Sequence, residues 1–162
     1  MKIIVQSLWV GKNISNLERL SINSFIKNSH EFHLYTYDYI KDVPEGAIIK
    51  DASEKIPHNK IFKYKDYDTY SGFANLFRYA LLLKNGGYWV DLDIICLKPF
   101  HFDAHYIFAG EKVLEKNRIM ANNCIIKAPK DSPIIEFCYR EASRINLDTL
   151  KCGQTGPLLL TK

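Results

Sequence analysis

The distribution of apolar residues along this 162-residue chain predicts an α/β fold with a largely parallel central sheet. Short β-branched runs alternate with stretches of helical period. Residues 71–85 are apolar around most of a helix circumference, the mark of a buried helix. The next run, residues 86–96, reads as a buried strand carrying two aspartates. In order, residues 3–8 form a strand, and residues 14–27 form an amphipathic helix offering Leu17, Leu20, Ile22 and Phe25 to the core. Residues 32–37 form a strand and 47–50 a short one, while 51–69 read as loop or short helix. The buried helix begins at Ser71 as N-cap, and Gly86-Gly87 stops it with residues free to adopt φ > 0. A strand carrying Asp91 and Asp93 follows and continues over 94–97 before Pro99. Residues 106–109 and 123–127 are further strands. Ser132-Pro133 opens a helix through about Ile145, with proline at its favoured first position. Pro157 to Lys162 reads as the opening of another.

The Asp91-Leu92-Asp93 spacing carries the chemistry. In a strand, alternate side chains share a face, so the two carboxylates point together while Leu92 enters the opposite layer. Two buried, uncompensated anions cost several kcal/mol, ~5 or more. A divalent cation at the strand's exposed end resolves that cost, and paired oxygen ligands suit Mg²⁺ or Mn²⁺ completed by phosphate oxygens. The bland alternative is an ion-paired structural cluster. The chain contains its own control. Asp66-Tyr67-Asp68 has the same spacing in a polar stretch beside Lys63 and Lys65, where both carboxylates are free to face water.

Asn75 and Arg78 interrupt the apolar helix three residues apart, hence on one side. A buried arginine needs an anion: the Asp91/Asp93 pair, a ligand's phosphates, or a purely structural salt bridge. His101 and His105 flank Asp103, but the aromatic and proline neighbours favour surface or packing roles over a metal site. Tyr64, Tyr67 and Tyr70 beside Lys60, Lys63 and Lys65 read either as a flap offering aromatic faces to a saccharide or as a solvated loop. Asn122 and Asn123 suit a sugar hydroxyl or ordinary turn chemistry.

Composition suits one domain with a single core, at 47% hydrophobic residues. The net charge of +4 fits an anionic nucleotide or loose contact with a phospholipid surface, and is too diffuse for nucleic acid. No stretch is long and apolar enough to span a bilayer. Met1 to Val5 reads as a strand rather than a signal peptide, so the expected location is cytoplasmic, extending to the inner face of a membrane. The 4 cysteines lack C-x-x-C spacing and read as reduced thiols, mostly buried.

Several blocks together resemble a known family. Phe73-Ala74-Asn75-Leu76-Phe77-Arg78-Tyr79, then Gly86-Gly87-Tyr88-Trp89-Val90-Asp91-Leu92-Asp93, resembles the core signature of DXD-containing glycosyltransferases of the family 32 type. Gln6-Ser7-Leu8-Trp9-Val10-Gly11 resembles that family's first strand and turn, and residues 32–38 its second strand. Asn122 to Pro129 and Thr155-Gly156-Pro157 resemble its downstream blocks. The resemblance implies a GT-A fold, a Rossmann-like sandwich binding a nucleotide-sugar. Asp91 would contact ribose and metal, and Asp93 would ligate Mn²⁺ or Mg²⁺. Trp9 would pack on the nucleobase, and Asn75 and Arg78 would lie near the diphosphate and donor sugar. Many relatives carry Asp where this chain has Asn75. Asn123 and Tyr70 are the acceptor candidates. The implied activity is transfer of a hexose from a nucleoside diphosphate sugar, UDP-linked by expectation, to a saccharide in polysaccharide or lipopolysaccharide synthesis, with retention. No residue announces itself as nucleophile or general base. The family continues beyond the Thr-Gly-Pro block, so residues 1–162 are expected to be a single domain lacking a C-terminal portion. That leaves a non-catalytic nucleotide-sugar-binding module as the alternative. An aspartate-based phosphatase also uses D-x-D after a strand, but usually at the first strand and with Thr or Val where Ile95 stands.

Overall fold

The computed structural model describes residues 2–113 and 118–161; Met1 and Lys162, the outer ends of two expected elements, lie outside them. The described residues form a six-stranded sheet flanked by helices on both faces. Its strands are β1 (Ile4–Trp9), β2 (Glu31–Thr36), β3 (Ala47–Asp51), β4 (Gly87–Val90), β5 (Ile107–Val113) and β6 (Arg118–Ala128), in spatial order β3-β2-β1-β4-β6-β5. The pairs β3–β2, β2–β1 and β1–β4 are parallel. β6 runs antiparallel to β4 and to β5, with a register shift between Phe108 and Ala109. The expected largely parallel sheet is present, with an antiparallel edge after the fourth strand.

Alternation along the strands divides the core. Val5, Phe32, Leu34, Tyr88 and Val90 pack with Ile22 and Phe25 of α1 (Asn16–Lys27). On the other face, Leu8, Tyr35 and Trp89 pack with Phe73 and Phe77 of α2 (Ser71–Asn85) and Ile135 of α3 (Pro133–Arg144). α1 begins in a capping box: Ser15 Oγ accepts from the Leu17 N–H at 3.1 Å, and Glu18 Oε2 accepts from the Ser15 N–H at 2.5 Å. Leu17 and Leu20 do not join the core expected for them and are exposed. At roughly 100° per residue, Leu20 lies about 200° around the helix from Ile22, on the solvent side. A short α4 (Pro157–Leu160) closes the described chain.

Ser71 is the first helical residue of α2 rather than its cap; Tyr70 holds the cap position, and Thr69 Oγ1 accepts the Ser71 N–H at 3.2 Å. The far end behaves as expected, with Gly86 at φ 66° and Gly87 at φ 87°. Gly86 is also sterically required, because a Cβ there would lie 2.5 Å from the Lys130 nitrogen. The larger departure follows β4. The strand stops at Val90, so Asp91 and Asp93 occupy a turn instead of one strand face. The Asp91 N–H still donates to Cys124 O at 2.8 Å, and the Ile94 N–H then donates back to Asp91 O at 3.3 Å. Residues 94–97, expected as a strand, are held by α1 side chains instead. Ser21 Oγ donates to Ile94 O (2.6 Å), the Cys96 N–H donates to Ser24 Oγ (2.8 Å), and Asn28 Nδ2 donates to Cys96 O (2.9 Å). Backbone groups satisfied by these side chains need no neighbouring strand.

Candidate functional site

A cleft of about 240 Å³ opens at the carboxyl ends of β1 and β4, where ligands bind in parallel α/β sheets. Arg78 is its organising residue. It is 3% exposed and lies one helical face along from Ser71 and Ala74, which also line the cleft. Its Nη2 meets Asp91 Oδ1 at 2.9 Å, its Nη1 donates to Asn123 O, and its guanidinium lies 4.9 Å from the Trp89 ring. The Trp89 indole N–H donates to the same Asp91 oxygen at 2.7 Å. Burial raises the Asp91 carboxyl above its ordinary range, opposed by Arg78 and the Trp89 N–H, while nearby Asp93 pushes it further up. Asp91 is thus held in one orientation by two donors, in a setting that favours a further cationic partner.

Behind this pair runs a buried amide relay. Asn123 Nδ2 donates to Asn75 Oδ1 at 2.7 Å, and Asn75 Nδ2 donates to Thr155 Oγ1 at 3.1 Å. The Tyr79 hydroxyl donates to Thr155 O at 3.0 Å. Gly156 lies against both amides: a Cβ there would come within 3.0 Å of Asn123 Nδ2 and 3.1 Å of Asn75 Nδ2. The relay fastens the C-terminal segment to α2 and β6 directly under Arg78.

The structure brings Trp9, Arg78, Asp91 and Asp93 to one cleft. The Trp9 indole N–H donates to Asn13 O at 2.9 Å, bracing the turn around Gly11. Asn75 and Asn123 stand behind the cleft wall in the relay rather than in its lining. Tyr70 is outside the lining as well, with the Lys63 ammonium 4.7 Å from its ring centroid. Asp66 and Asp68 are exposed and Asp68 pairs with Lys63, as expected for a solvated copy of the motif. His101, Asp103 and His105 are exposed and away from the cleft. Sequence reading missed Ser7 and Glu18, which line the cleft, and the part Thr155 plays in the relay. The Q-S-L-W and T-G-P blocks containing two of them were the available signal.

The donor set suits a hard divalent cation. Asp91 Oδ2 accepts no hydrogen bond among the described residues, and exposed Asp93 has neither hydrogen bond nor ion pair among them. No third His, Cys, Asp or Glu joins them in a cluster among the described residues. Remaining coordination positions would fall to phosphate oxygens and water, the usual mode for Mg²⁺.

With this geometry in view, the chain matches a family model described as glycosyltransferase sugar-binding region containing DXD motif, over residues 15–125, more than half its length. The chain belongs to this family. The matched span holds Asn75, Arg78, Asp91, Asp93 and Asn123, whereas Trp9 and Thr155 lie outside it and are placed at the site by the structure. The fold of this glycosyltransferase domain is GT-A-like. It is similar to that of PaToxG Glycosyltransferase, at TM-score 0.66 and 19% identity, covering 99% of this chain and 67% of that one. A mutant transferase is similar at TM-score 0.60 and 13% identity, covering 95% and 82%. No curated protein matches in sequence. No helix among the described residues is long and apolar enough to cross a membrane.

Proposed function

We propose that the chain is a single catalytic domain that transfers a hexose from a nucleoside diphosphate sugar, UDP-linked in the first instance, to a saccharide hydroxyl. The observation that supports this best is the Arg78–Asp91–Trp89 constellation, placed with Asp93 and Trp9 in one cleft at the strand ends. Trp9 presents an aromatic face to the nucleobase. Asp91, fixed by Arg78 and Trp89, and Asp93, unencumbered, hold Mn²⁺ or Mg²⁺. Bound there, the cation would offset charge accumulating on the departing diphosphate. Arg78 keeps the Asp91 carboxylate aimed into the cleft and supplies positive charge to the same region. Asn75 and Asn123 back the donor subsite, and Tyr70 lies toward the acceptor. The reaction retains anomeric configuration and serves polysaccharide or lipopolysaccharide synthesis in the cytoplasm.

A thermal-shift screen of UDP-, GDP- and CDP-sugars with and without Mn²⁺, followed by turnover of each hit, tests the proposal. A ligand of the folded state at a hundredfold excess over Kd stabilises by ~2.7 kcal/mol. A metal-dependent shift with one donor class, and release of its nucleoside diphosphate on adding saccharide, is expected. A shift without turnover for any acceptor would favour the binding-module alternative. No shift with any nucleotide-sugar would overturn both.

A further inference from the structure

Two polar groups at the Trp9 end of the cleft have no place in the metal and diphosphate chemistry. Ser7 is fully buried, and its Oγ has no hydrogen-bond partner among the described residues, although the residue lines the cleft. A buried hydroxyl left unpaired is destabilising, so its retention under the cleft floor calls for a partner that arrives from the cleft. Ser7 shares a strand face with Trp9, two residues on, and therefore sits beneath the same end of the cleft. Glu18, one helical turn into α1, lines that end as well. Its Oε2 is committed to the Ser15 N–H in the capping box, which fixes the carboxylate while leaving Oε1 without a hydrogen bond among the described residues.

We infer that Ser7 and Glu18 read the polar edge of the donor's nucleobase while Trp9 covers its face. Glu18 Oε1 is a fixed acceptor and demands an N–H from the base. Ser7 Oγ–H donates to the neighbouring carbonyl or ring nitrogen. Every base edge offers such a pair, but in different positions, so a fixed acceptor beside a fixed hydroxyl selects by placement. A base that mismatches leaves the buried Ser7 hydroxyl or the Glu18 oxygen unsatisfied, which is the stronger form of discrimination. This inference rests on the nucleotide-sugar reading and adds to it the groups that choose the nucleotide.

Calorimetric titration of UDP, GDP, CDP and ADP, and of inorganic pyrophosphate as the base-free probe, all with Mn²⁺, tests it in wild type, Ser7→Ala and Glu18→Gln. Both variants should fold. Ser7→Ala deletes an unpaired hydroxyl, so its Tm should hold or rise, and glutamine at the third helical position still closes the capping box. Wild type should rank the four nucleotides across at least a tenfold range, and each variant should compress that ranking by about tenfold, losing more affinity for the preferred nucleotide than for pyrophosphate. An unchanged ranking in both variants, or equal affinity of wild type for all four, would overturn the assignment while leaving the nucleotide-sugar reading in place. Binding of none of the five probes to wild type would overturn that reading itself. A lower Tm in Ser7→Ala would show that the hydroxyl is paired within the protein, and would also overturn the assignment.

Discussion

At the residue scale, buried Arg78 is paired with partly buried Asp91, and the cost of removing the arginine is mostly the cost of stranding its partners. Arg78→Ala should destabilise by roughly 3–5 kcal/mol in urea denaturation, because Asp91, Asn123 O and the Trp89 face all lose their partner. Arg78→Lys keeps the charge but cannot bridge Asp91 and Asn123 O at once, so it should lose less stability and still bind nucleoside diphosphate more weakly. A Lys variant that melts lower with unchanged affinity would make the arginine purely structural. His30 supplies a second prediction, far from the cleft. It packs between Phe25 and Phe100, and its Nε2 accepts the Phe100 N–H at 3.2 Å, which requires a neutral ring. Burial lowers its pKa below the ordinary 6.5, opposed by the Ile3 carbonyl and reinforced by His101. Below that value the unfolded chain takes up a proton that the folded ring refuses. This contribution is therefore intact above pH 6.5 and lost as pH falls through the lowered folded value. Urea midpoints at about pH 7.5 and about pH 5.5 should fall further for wild type than for His30→Gln, whereas parallel declines would exclude the histidine as the cause.

At the scale of elements, periodicity revealed what repeats locally and concealed what is bonded at a distance. The strand–helix alternation, the all-round apolar α2 and the Gly86-Gly87 stop are local signals, and the structure carries all three. The run at 94–97 has strand-like composition, but its backbone groups bond to Ser21, Ser24 and Asn28, about 70 residues earlier, and no period announces that. The same blindness hid Thr155, which reaches Asn75 across 80 residues. Glu18 in a capping box had an adequate local explanation, so nothing in the sequence singled it out, and Ser7 was marked only by its place in the Q-S-L-W block. The docking of the C-terminal segment yields a prediction at this scale. A methyl at Gly156 meets two amide nitrogens that cannot retreat without breaking the Asn123–Asn75–Thr155 relay. Gly156→Ala should cost about 1–3 kcal/mol by urea denaturation, in the range of overpacked sites, and weaken nucleotide binding by loosening the support under Arg78. An unchanged midpoint would mean that the segment from Thr155 onward does not rest on the relay.

For the whole molecule, the sheet sets the site. Four parallel strands bring the ends of β1 and β4 together, and the switch to antiparallel β6 places Asn123 and Cys124 beside the Asp91 turn. The sequence showed the two aspartates and their family context, but not that they leave the strand. Partly buried Asp91 is held there by Arg78 and Trp89, while Asp93 turns outward. That asymmetry sharpens the central claim, since Asp91 is the anchored carboxylate and Asp93 the free one. Asp68, in the exposed copy of the motif, has the same spacing and none of this setting. The most direct measurement is calorimetric titration of a UDP-sugar, with and without Mn²⁺, into wild type, Asp93→Asn and Asp68→Asn. Mn²⁺ should strengthen binding to wild type and to Asp68→Asn by at least about tenfold, or 1.4 kcal/mol, and Asp93→Asn should lose that gain while keeping its Tm. Equal metal dependence in wild type and Asp93→Asn would contradict a cation held by the Asp91–Asp93 turn, and with it the physical basis for the proposed transfer.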